Sequence, residues 1–189
     1  MLYFTPMKLG LARHFQIPHN RVQILNAAGF DKWAVWYDTT EVNSREVPLA
    51  GKAGETWDKC YCSDLHRARF TAEYLFQGPV ESTPLLQEIP FSAFLPRKLK
   101  LPLLFWQATS RMGWYLNHKK QSEKRTETVR RIREFIRLLK SRHGAEDRIL
   151  IVTHGFYMQF LRKELLREGF KGKVPMRPHG GIIYPFETT

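Results

Sequence analysis

The sequence predicts an α/β fold of three layers, in which helices cover both faces of a mostly parallel sheet. Short aliphatic and β-branched runs, which are typical of strands, alternate along the chain with longer segments of helical periodicity. Because strands that are joined through helices usually pair in parallel, this alternation indicates a mainly parallel sheet. Two of the apolar runs, residues 7–13 and 148–153, stop at His14 and His154. Such strand ends lie at the carboxyl edge of an open sheet, where ligands bind, so the two histidines should face each other across one pocket if their strands are neighbours.

After the strand at 7–13, the first half of the chain predicts one more strand and two helices. A helix at 25–40 carries aromatic residues at helical spacing. The segment 57–63 has the composition of a strand, and a helix at 67–76 follows it, with Ser63 or Asp64 as its N-cap. The first turn of this helix begins with an arginine, although a helix N-terminus favours anions over cations. We therefore expect this arginine and the helix N-terminus to face a bound anion together.

The second half of the chain continues the alternation and completes the fold. Its predicted elements are a strand at 84–89, an irregular segment at 92–103, helices at 103–117 and 123–141, a strand at 148–153, a helix at 155–168 and an edge strand at 180–186. No linker, repeat or low-complexity tract interrupts the pattern. We expect a single domain over residues 1–189, with lid segments at 21–50 and 92–120.

The chain is strongly basic, with a formal net charge of +12 at pH 7. A field of this sign attracts anions, which fits a phosphorylated substrate. Residues 119–142 hold ten basic residues against three glutamates but lack the interleaved aromatic residues of a single-strand binding surface, so nucleic acid is not the expected partner. No apolar run reaches the ~20 residues that span a bilayer, and no signal peptide pattern is evident. We expect a cytoplasmic protein without a membrane partner.

The two cysteines, Cys60 and Cys62, lie in the predicted strand at 57–63. We expect their side chains to be buried on opposite faces of this strand and to form neither a disulfide nor a zinc site. No other cluster of metal ligands is evident in the sequence, so neither a metal site nor a cofactor is expected.

Four short motifs follow one another along the chain. In chain order they are Arg13-His14 with Asn20, Ser-x-Leu-x-Arg-Ala-x-x-Thr-Ala at 63–72, Glu88 after a short predicted strand, and Val-Thr-His-Gly at 152–155. In order and spacing they resemble the signatures of the histidine phosphatase superfamily, in its phosphoglycerate-mutase-like group and the branch of small bacterial-type phosphatases. The resemblance covers roughly residues 7–186 and implies the phosphoglycerate-mutase-like fold.

The first motif departs from the family pattern, because Phe15, Gln16 and Ile17 replace Gly, Glu and Thr. The change leaves His14 in place but alters the loop beside it, since a bulky phenylalanine lacks the backbone freedom of glycine. We therefore expect the shape of the pocket and the substrate preference to differ from those of the family.

The resemblance implies a histidine phosphatase that works through a phosphohistidine without a metal. It assigns the role of nucleophile to His14, whose other ring nitrogen is expected to donate to a backbone carbonyl so that the attacking nitrogen carries no proton. The phosphoryl oxygens are assigned to two guanidinium groups, a neutral donor and a protonated imidazole, which are Arg13, Arg67, Asn20 and His154.

Glu88 is assigned as the general acid that protonates the departing alkoxide and then activates the attacking water. The expected reaction is the hydrolysis of a small phosphate monoester. A mutase would use the same phosphohistidine and return the phosphoryl group to a product, and the short sequence after the last predicted strand favours hydrolysis. A different hypothesis, motivated by the altered loop and the net charge, is an inactive basic module that binds anions.

Overall fold

The computed structural model describes residues 7–20, 22–42 and 56–188. In this part of the chain the strands are β1 Lys8–Arg13, β2 Ile24–Leu25, β3 Lys59–Ser63, β4 Val80–Thr83, β5 Leu101–Pro102, β6 Arg148–Thr153, β7 Phe170–Gly172 and β8 Ile183–Thr188. The helices are α1 Ala27–Thr39, α2 His66–Leu75, α3 Leu103–Tyr115, α4 Arg125–Arg142 and α5 Gly155–Arg167.

The chain forms two compact units. The first comprises Met1–Gln16, Glu41–Glu88 and Arg131–Thr189, and the second comprises Ile17–Thr40 and Ile89–Arg130. The predicted lid segment at 92–120 belongs to the second unit, as do residues 22–40 of the other lid segment. Residues 21 and 43–50 of that segment lie outside the described residues. A single domain and a lid function both stay predictions.

The first unit is built on a six-stranded sheet in the order β4-β3-β6-β1-β8-β7. Strands β4, β3, β6 and β1 pair in parallel with one another, whereas β8 runs antiparallel to both β1 and β7. The central strands are apolar on both faces, and residues 149–152 of β6 are fully buried. These findings confirm the predicted α/β fold with a mostly parallel sheet.

Helices of the first unit cover both faces of this sheet. On one face Cys60 and Cys62 pack with Ala68 and Ala72 of α2. On the other face the ring of Tyr61 meets Phe135 of α4 edge to face, with 5.8 Å between the ring centroids. The expectation that the two cysteines lie on opposite faces is wrong, because residues two apart in a strand share a face. Both are buried free thiols, as predicted.

Three local predictions in the first unit are corrected by the structure. The strand expected at 84–89 is displaced to β4, and a 3₁₀ turn over Pro84–Leu86 follows it, because proline fixes its φ and lacks the N–H that a strand ladder needs. The N-cap of α2 is Leu65, without a side-chain cap, rather than Ser63 or Asp64. The last strand, β8, is internal, since the short strand β7, which the sequence analysis missed, forms the edge.

The second unit pairs β2 and β5 in a small antiparallel sheet and adds α1 and α3. Its core is aromatic, as the spacing in the predicted helix at 25–40 indicated. Phe30 stacks on Trp33 and on Trp106, with centroid distances of 5.8 and 5.5 Å. The indole Nε1 of Trp106 donates to the carbonyl of Leu25 at 2.7 Å, which ties α3 to the small sheet.

Candidate active site

The register of the central strands brings two histidines together. Strands β1 and β6 are parallel neighbours in which Arg13 lies opposite Thr153, so the next residue of each chain segment leaves the sheet at the same point. The backbone amide of His14 donates to the carbonyl of Thr153 at 2.9 Å. The rings of His14 and His154 lie 5.0 Å apart between centroids, and both residues are buried. The sequence-based expectation that the two histidines face each other is met.

The hydrogen bond of His14 fixes its tautomer. Nδ1 of His14 lies 2.5 Å from the carbonyl oxygen of Phe15, and because a carbonyl only accepts, Nδ1 must donate. The pKa of His14 is held well below its ordinary value, first by burial and then by the cations Arg67 and Arg13, against the smaller opposing effect of the bond to Phe15. His14 is therefore neutral, and its Nε2 carries the lone pair of a nucleophile.

Two arginines supply positive charge beside the histidines. Arg67, the second residue of α2, is only 1% exposed, which is rare for this side chain. Arg13, the last residue of β1, donates from Nη1 to the carbonyl of Pro178 at 3.1 Å. A Cβ on Gly155 would lie 3.2 Å from Nε of Arg13, so the glycine leaves room for this guanidinium at the start of α5. Both arginines lower the pKa of both histidines, so the four groups interact electrostatically.

His154 is the N-cap residue of α5 and is fully buried. Within the described residues, neither of its ring nitrogens has a hydrogen-bond partner. Burial is the largest cause that lowers its pKa well below the ordinary value, and Arg67 is the next. The lowered pKa disfavours a protonated His154 in the free protein, because an imidazolium beside two guanidinium groups is unfavourable in a buried site. The role of His154 as a cation towards the substrate stays a prediction.

The side chain of Glu88 binds the start of α5, the helix that begins directly after His154. Its Oε1 accepts from the amide of Tyr157 at 2.9 Å, and its Oε2 accepts from the amide of Phe156 at 3.2 Å. These amides belong to the first turn of the helix that begins directly after His154, where N–H groups lack partners within the helix. The Glu88 side chain is therefore held at the start of the helix that follows His154, although the strand predicted to carry it is absent.

A set of side chains that the sequence analysis missed holds the segment before Glu88. Nη1 of Arg131 donates to the carbonyls of Leu85 and Gln87 at 3.0 and 2.8 Å. The hydroxyl of Tyr157 also donates to Leu85, at 2.6 Å, and Thr153 Oγ1 donates to Leu86 at 2.7 Å. The basic composition of α4 gave no signal for this role, since most of its charged residues are solvated.

The unusual residue after His14 is accommodated inside the first unit. The amide of Phe15 donates to Thr71 Oγ1 at 2.9 Å, and the buried Phe15 ring packs edge to face on Tyr74 of α2. It also contacts Gly181, whose φ of +76° favours glycine. A Cβ on the preceding Gly180 would lie 2.8 Å from the carbonyl oxygen of His14. The two glycines thus make space for the altered loop, and the carbonyl of Phe15 still orients His14.

Asn20 belongs to the second unit and is exposed. Its Oδ1 accepts from the amide of Val22 at 2.9 Å in a local turn, and its role as a ligand of a phosphoryl group stays a prediction. Among the residues that the structure describes, no three of His, Cys, Asp and Glu form a group that could hold a metal ion.

Comparison with known proteins adds a family match and a set of similar folds. The family model "Histidine phosphatase superfamily (branch 1)" matches residues 48–179, a stretch that includes Arg67, Glu88 and His154 and begins after His14. No curated protein matches the chain in sequence.

Several solved structures are similar over most of the chain. The alpha-ribazole phosphatase from Shigella flexneri is 22% identical, with a TM-score of 0.53, and the match covers 95% of this chain and 89% of that one. A phosphoserine phosphatase mutant from Entamoeba histolytica in complex with phosphoserine is 17% identical, with a TM-score of 0.56 and coverages of 85% and 80%. A phosphoglycerate mutase from Bacillus anthracis is 16% identical, with a TM-score of 0.56 and coverages of 96% and 87%. At these identities the likeness concerns the fold.

Proposed function

Since the chain belongs to the histidine phosphatase superfamily, we propose that it is a metal-independent phosphomonoesterase that forms a phosphohistidine on His14. The family model does not reach His14, so the proposal for the nucleophile depends on the geometry of this residue. The proposed substrate is a small phosphate monoester. The residues of the first unit that would act on it are His14, Arg13, Arg67, Glu88 and His154.

The observation that carries the proposal is the hydrogen bond from Nδ1 of His14 to the carbonyl of Phe15. It leaves Nε2 unprotonated, and the lowered pKa favours the neutral imidazole. A neutral imidazole beside two guanidinium groups is suited to attack the phosphorus of a bound dianion. In this step the Nε2–P bond forms while the P–O bond to the leaving group breaks.

Arg13 and Arg67 stabilise the charge on the phosphoryl oxygens. Their planar N–H donors match a tetrahedral oxyanion, and in a buried site such donors act more strongly than they do in water. Glu88 gives a proton to the leaving oxygen. It then takes a proton from the water that attacks the phosphohistidine, which releases phosphate and returns His14 to its neutral state.

His154 is proposed to gain its proton when the substrate binds. The buried imidazole is neutral in the free protein because burial and neighbouring cations lower its pKa. A phosphoryl dianion in the same site offsets those cations and favours the imidazolium. Binding of vanadate should therefore take up a proton, which calorimetry in buffers of different ionisation enthalpy measures. His154→Asn should bind vanadate without this uptake.

The decisive experiment is to trap the intermediate. The protein is mixed with a labelled aryl phosphate and quenched in alkali, where a phosphohistidine persists, and the label is then expected to leave on exposure to acid. His14→Ala should lose the label and lower turnover roughly 10⁴-fold or more. His118→Ala, which changes a histidine outside the site, is the control and should keep the trapped label and the turnover of the wild type.

The same preparation separates the alternatives. Release of inorganic phosphate with no isomerised product supports hydrolysis, whereas transfer of the label to a second position of a phosphorylated acceptor supports a mutase. Background turnover that is equal in the wild type and in His14→Ala, with no trapped label, would contradict the enzyme and favour an inactive anion-binding module.

A further inference from the structure

Helix α3, in the second unit, carries apolar residues on two opposite faces, with Gln107, Thr109 and Arg111 between them. One face is buried in the core of the unit, through Leu103, Trp106, Ser110, Gly113 and Trp114. A surface helix normally has a single apolar face, which is turned towards the core. The second apolar face of α3 is nevertheless exposed.

The exposed face has no charged side chain. The residues on it, which we call the apolar stripe, are Leu104, Phe105, Ala108, Met112, Tyr115 and Leu116. At 3.6 residues per turn they fall within an arc of about 120°. Leu104 is 64% exposed and Leu116, at the C-cap, is 71% exposed. A contiguous apolar surface of this kind marks an interaction site rather than an ordinary solvent face.

Cations flank the apolar stripe at both ends. Arg97, Lys98 and Lys100 precede α3, Lys119 and Lys120 follow it, and all five are exposed. Residues 89–122 contain six Lys and Arg residues and no Asp or Glu. The surface therefore combines an apolar centre with positive charge on either side.

We propose that the apolar stripe and its flanking cations dock on an anionic membrane surface. Acyl chains would cover the leucine, methionine and aromatic side chains, and acidic headgroups would meet the lysines and arginines, as for helices that lie in the plane of the interface. No helix among the described residues is long and apolar enough to cross a membrane, and docking on the surface needs none. The proposal departs from the sequence-based expectation that no membrane is a partner.

The charge distribution favours a membrane over a second copy of the chain. Two copies that met through the apolar stripe would bring their flanking cations together, and the segment offers no acidic residue to pair with them. Nucleic acid is also a poorer fit, because bases stack on aromatic side chains and four of the six residues of the apolar stripe are not aromatic.

The test uses the full chain and flotation with vesicles. Vesicles of phosphatidylcholine with about one third phosphatidylglycerol should bind the protein, and pure phosphatidylcholine should bind it much more weakly. Leu104→Ser combined with Phe105→Ser should lower partitioning more than about tenfold. Leu166→Ser combined with Met176→Ser, which changes two exposed apolar residues of the first unit, is the matched control and should bind like the wild type.

A second pair of variants tests the charges. Lys98→Glu with Lys119→Glu should weaken binding more than about tenfold, since each cation near an anionic surface contributes to the binding. Lys163→Glu with Lys171→Glu makes the same change in net charge on the first unit and should have a smaller effect. Added salt should weaken the binding of the wild type. Thermal unfolding of each variant verifies that it is folded.

Three results would overturn the proposal. The first is no binding to anionic vesicles at low salt. The second is equal loss of binding in the variants of the apolar stripe and in their controls, which would indicate a general effect of charge. The third is that the wild type self-associates, or binds a single-stranded oligonucleotide, and that the double serine variant does not. In this outcome vesicles bind neither the wild type nor the variant.

Discussion

The two units of the molecule differ in what they bury and in what they expose. In the first unit, His14 and His154 directly follow β1 and β6, Arg67 lies in the first turn of α2, and all three polar side chains are buried. Burial is especially rare for arginine. In the second unit, α3 exposes Leu104 and Phe105, which proteins usually bury. Each unit therefore breaks a general rule of residue placement, and each does so in a contiguous group rather than at scattered positions.

The difference indicates two kinds of functional surface. Burial of polar groups costs free energy unless a partner compensates it, so a convergent set of buried cations and imidazoles indicates a ligand that is anionic. Exposed apolar groups cost less free energy than buried polar groups without partners, but a contiguous patch of them favours association with another surface. The buried polar cluster of the first unit thus has the properties of a site that binds an anion, and the apolar stripe of the second unit has those of a docking surface.

The largest expected effect concerns the buried cation of the first unit. Arg67→Met keeps most of the volume of the side chain but removes its charge, and kcat/KM towards an aryl phosphate should fall roughly 10²–10³-fold. Because Arg67 lowers the pKa of His14, the variant should also raise that pKa, which NMR titration of the ring measures. Arg69→Met removes an exposed cation from the same helix and should change neither quantity. Full activity in Arg67→Met would remove this arginine from the site.

A matched pair of methionines tests the contrast in burial directly. Met158 of α5 is fully buried, whereas Met112 of α3 is 49% exposed. Met158→Ala should lower the free energy of unfolding by about 2–5 kcal/mol, because it leaves a cavity in the core. Met112→Ala should change it by about 0.5 kcal/mol or less. Denaturant unfolding measures the free energy of unfolding of both variants. A large decrease in Met112→Ala would mean that the apolar stripe stabilises the fold and is not a free docking surface.

The sequence predicted the site in the first unit better than it predicted the surroundings of that site. The strands that end at His14 and His154 are recognisable because they are buried on both faces and carry uninterrupted apolar runs. Their parallel pairing then fixes the position of both histidines without further information. Arg67 was predictable for a related reason, since it opens the helix that follows the next strand of the sheet.

The segment around Glu88 shows where prediction from the sequence stops. The residue was identified, but the strand expected to carry it is replaced by a 3₁₀ turn, and the support from Arg131 and Tyr157 was missed. Those contacts join positions 46 and 72 residues apart, and no local pattern encodes them. On α5 the spacing predicts four inward residues, which are Phe156, Phe160, Leu161 and Leu165. Leu161 and Leu165 are buried, whereas Phe156 and Phe160 are only half-buried and Tyr157 and Met158 are buried in addition.

Arg131 offers a smaller effect that separates positioning from catalysis. Arg131→Ala removes the donor to the carbonyls before Glu88, so kcat should fall roughly 10- to 100-fold while KM changes little, because Arg13 and Arg67 still bind the phosphoryl group. Arg131→Lys should restore part of the rate. Arg133→Ala, on the same helix, breaks the ion pair with Glu164 and should leave kcat unchanged. A rise in KM alone would mean that Arg131 acts on substrate binding instead.

The smallest effect is a dependence of stability on pH that comes from the buried histidines. The pKa values of His14 and His154 lie well below 6.5 in the folded protein, so below this pH the unfolded chain binds more protons than the folded one. The free energy of unfolding should therefore be highest above pH 6.5 and fall as the pH drops towards the folded pKa values. His154→Asn should reduce this slope by up to about 1.4 kcal/mol per pH unit, as measured by urea unfolding at several pH values. An unchanged slope would mean that His154 titrates alike in both states, which contradicts its burial beside two arginines.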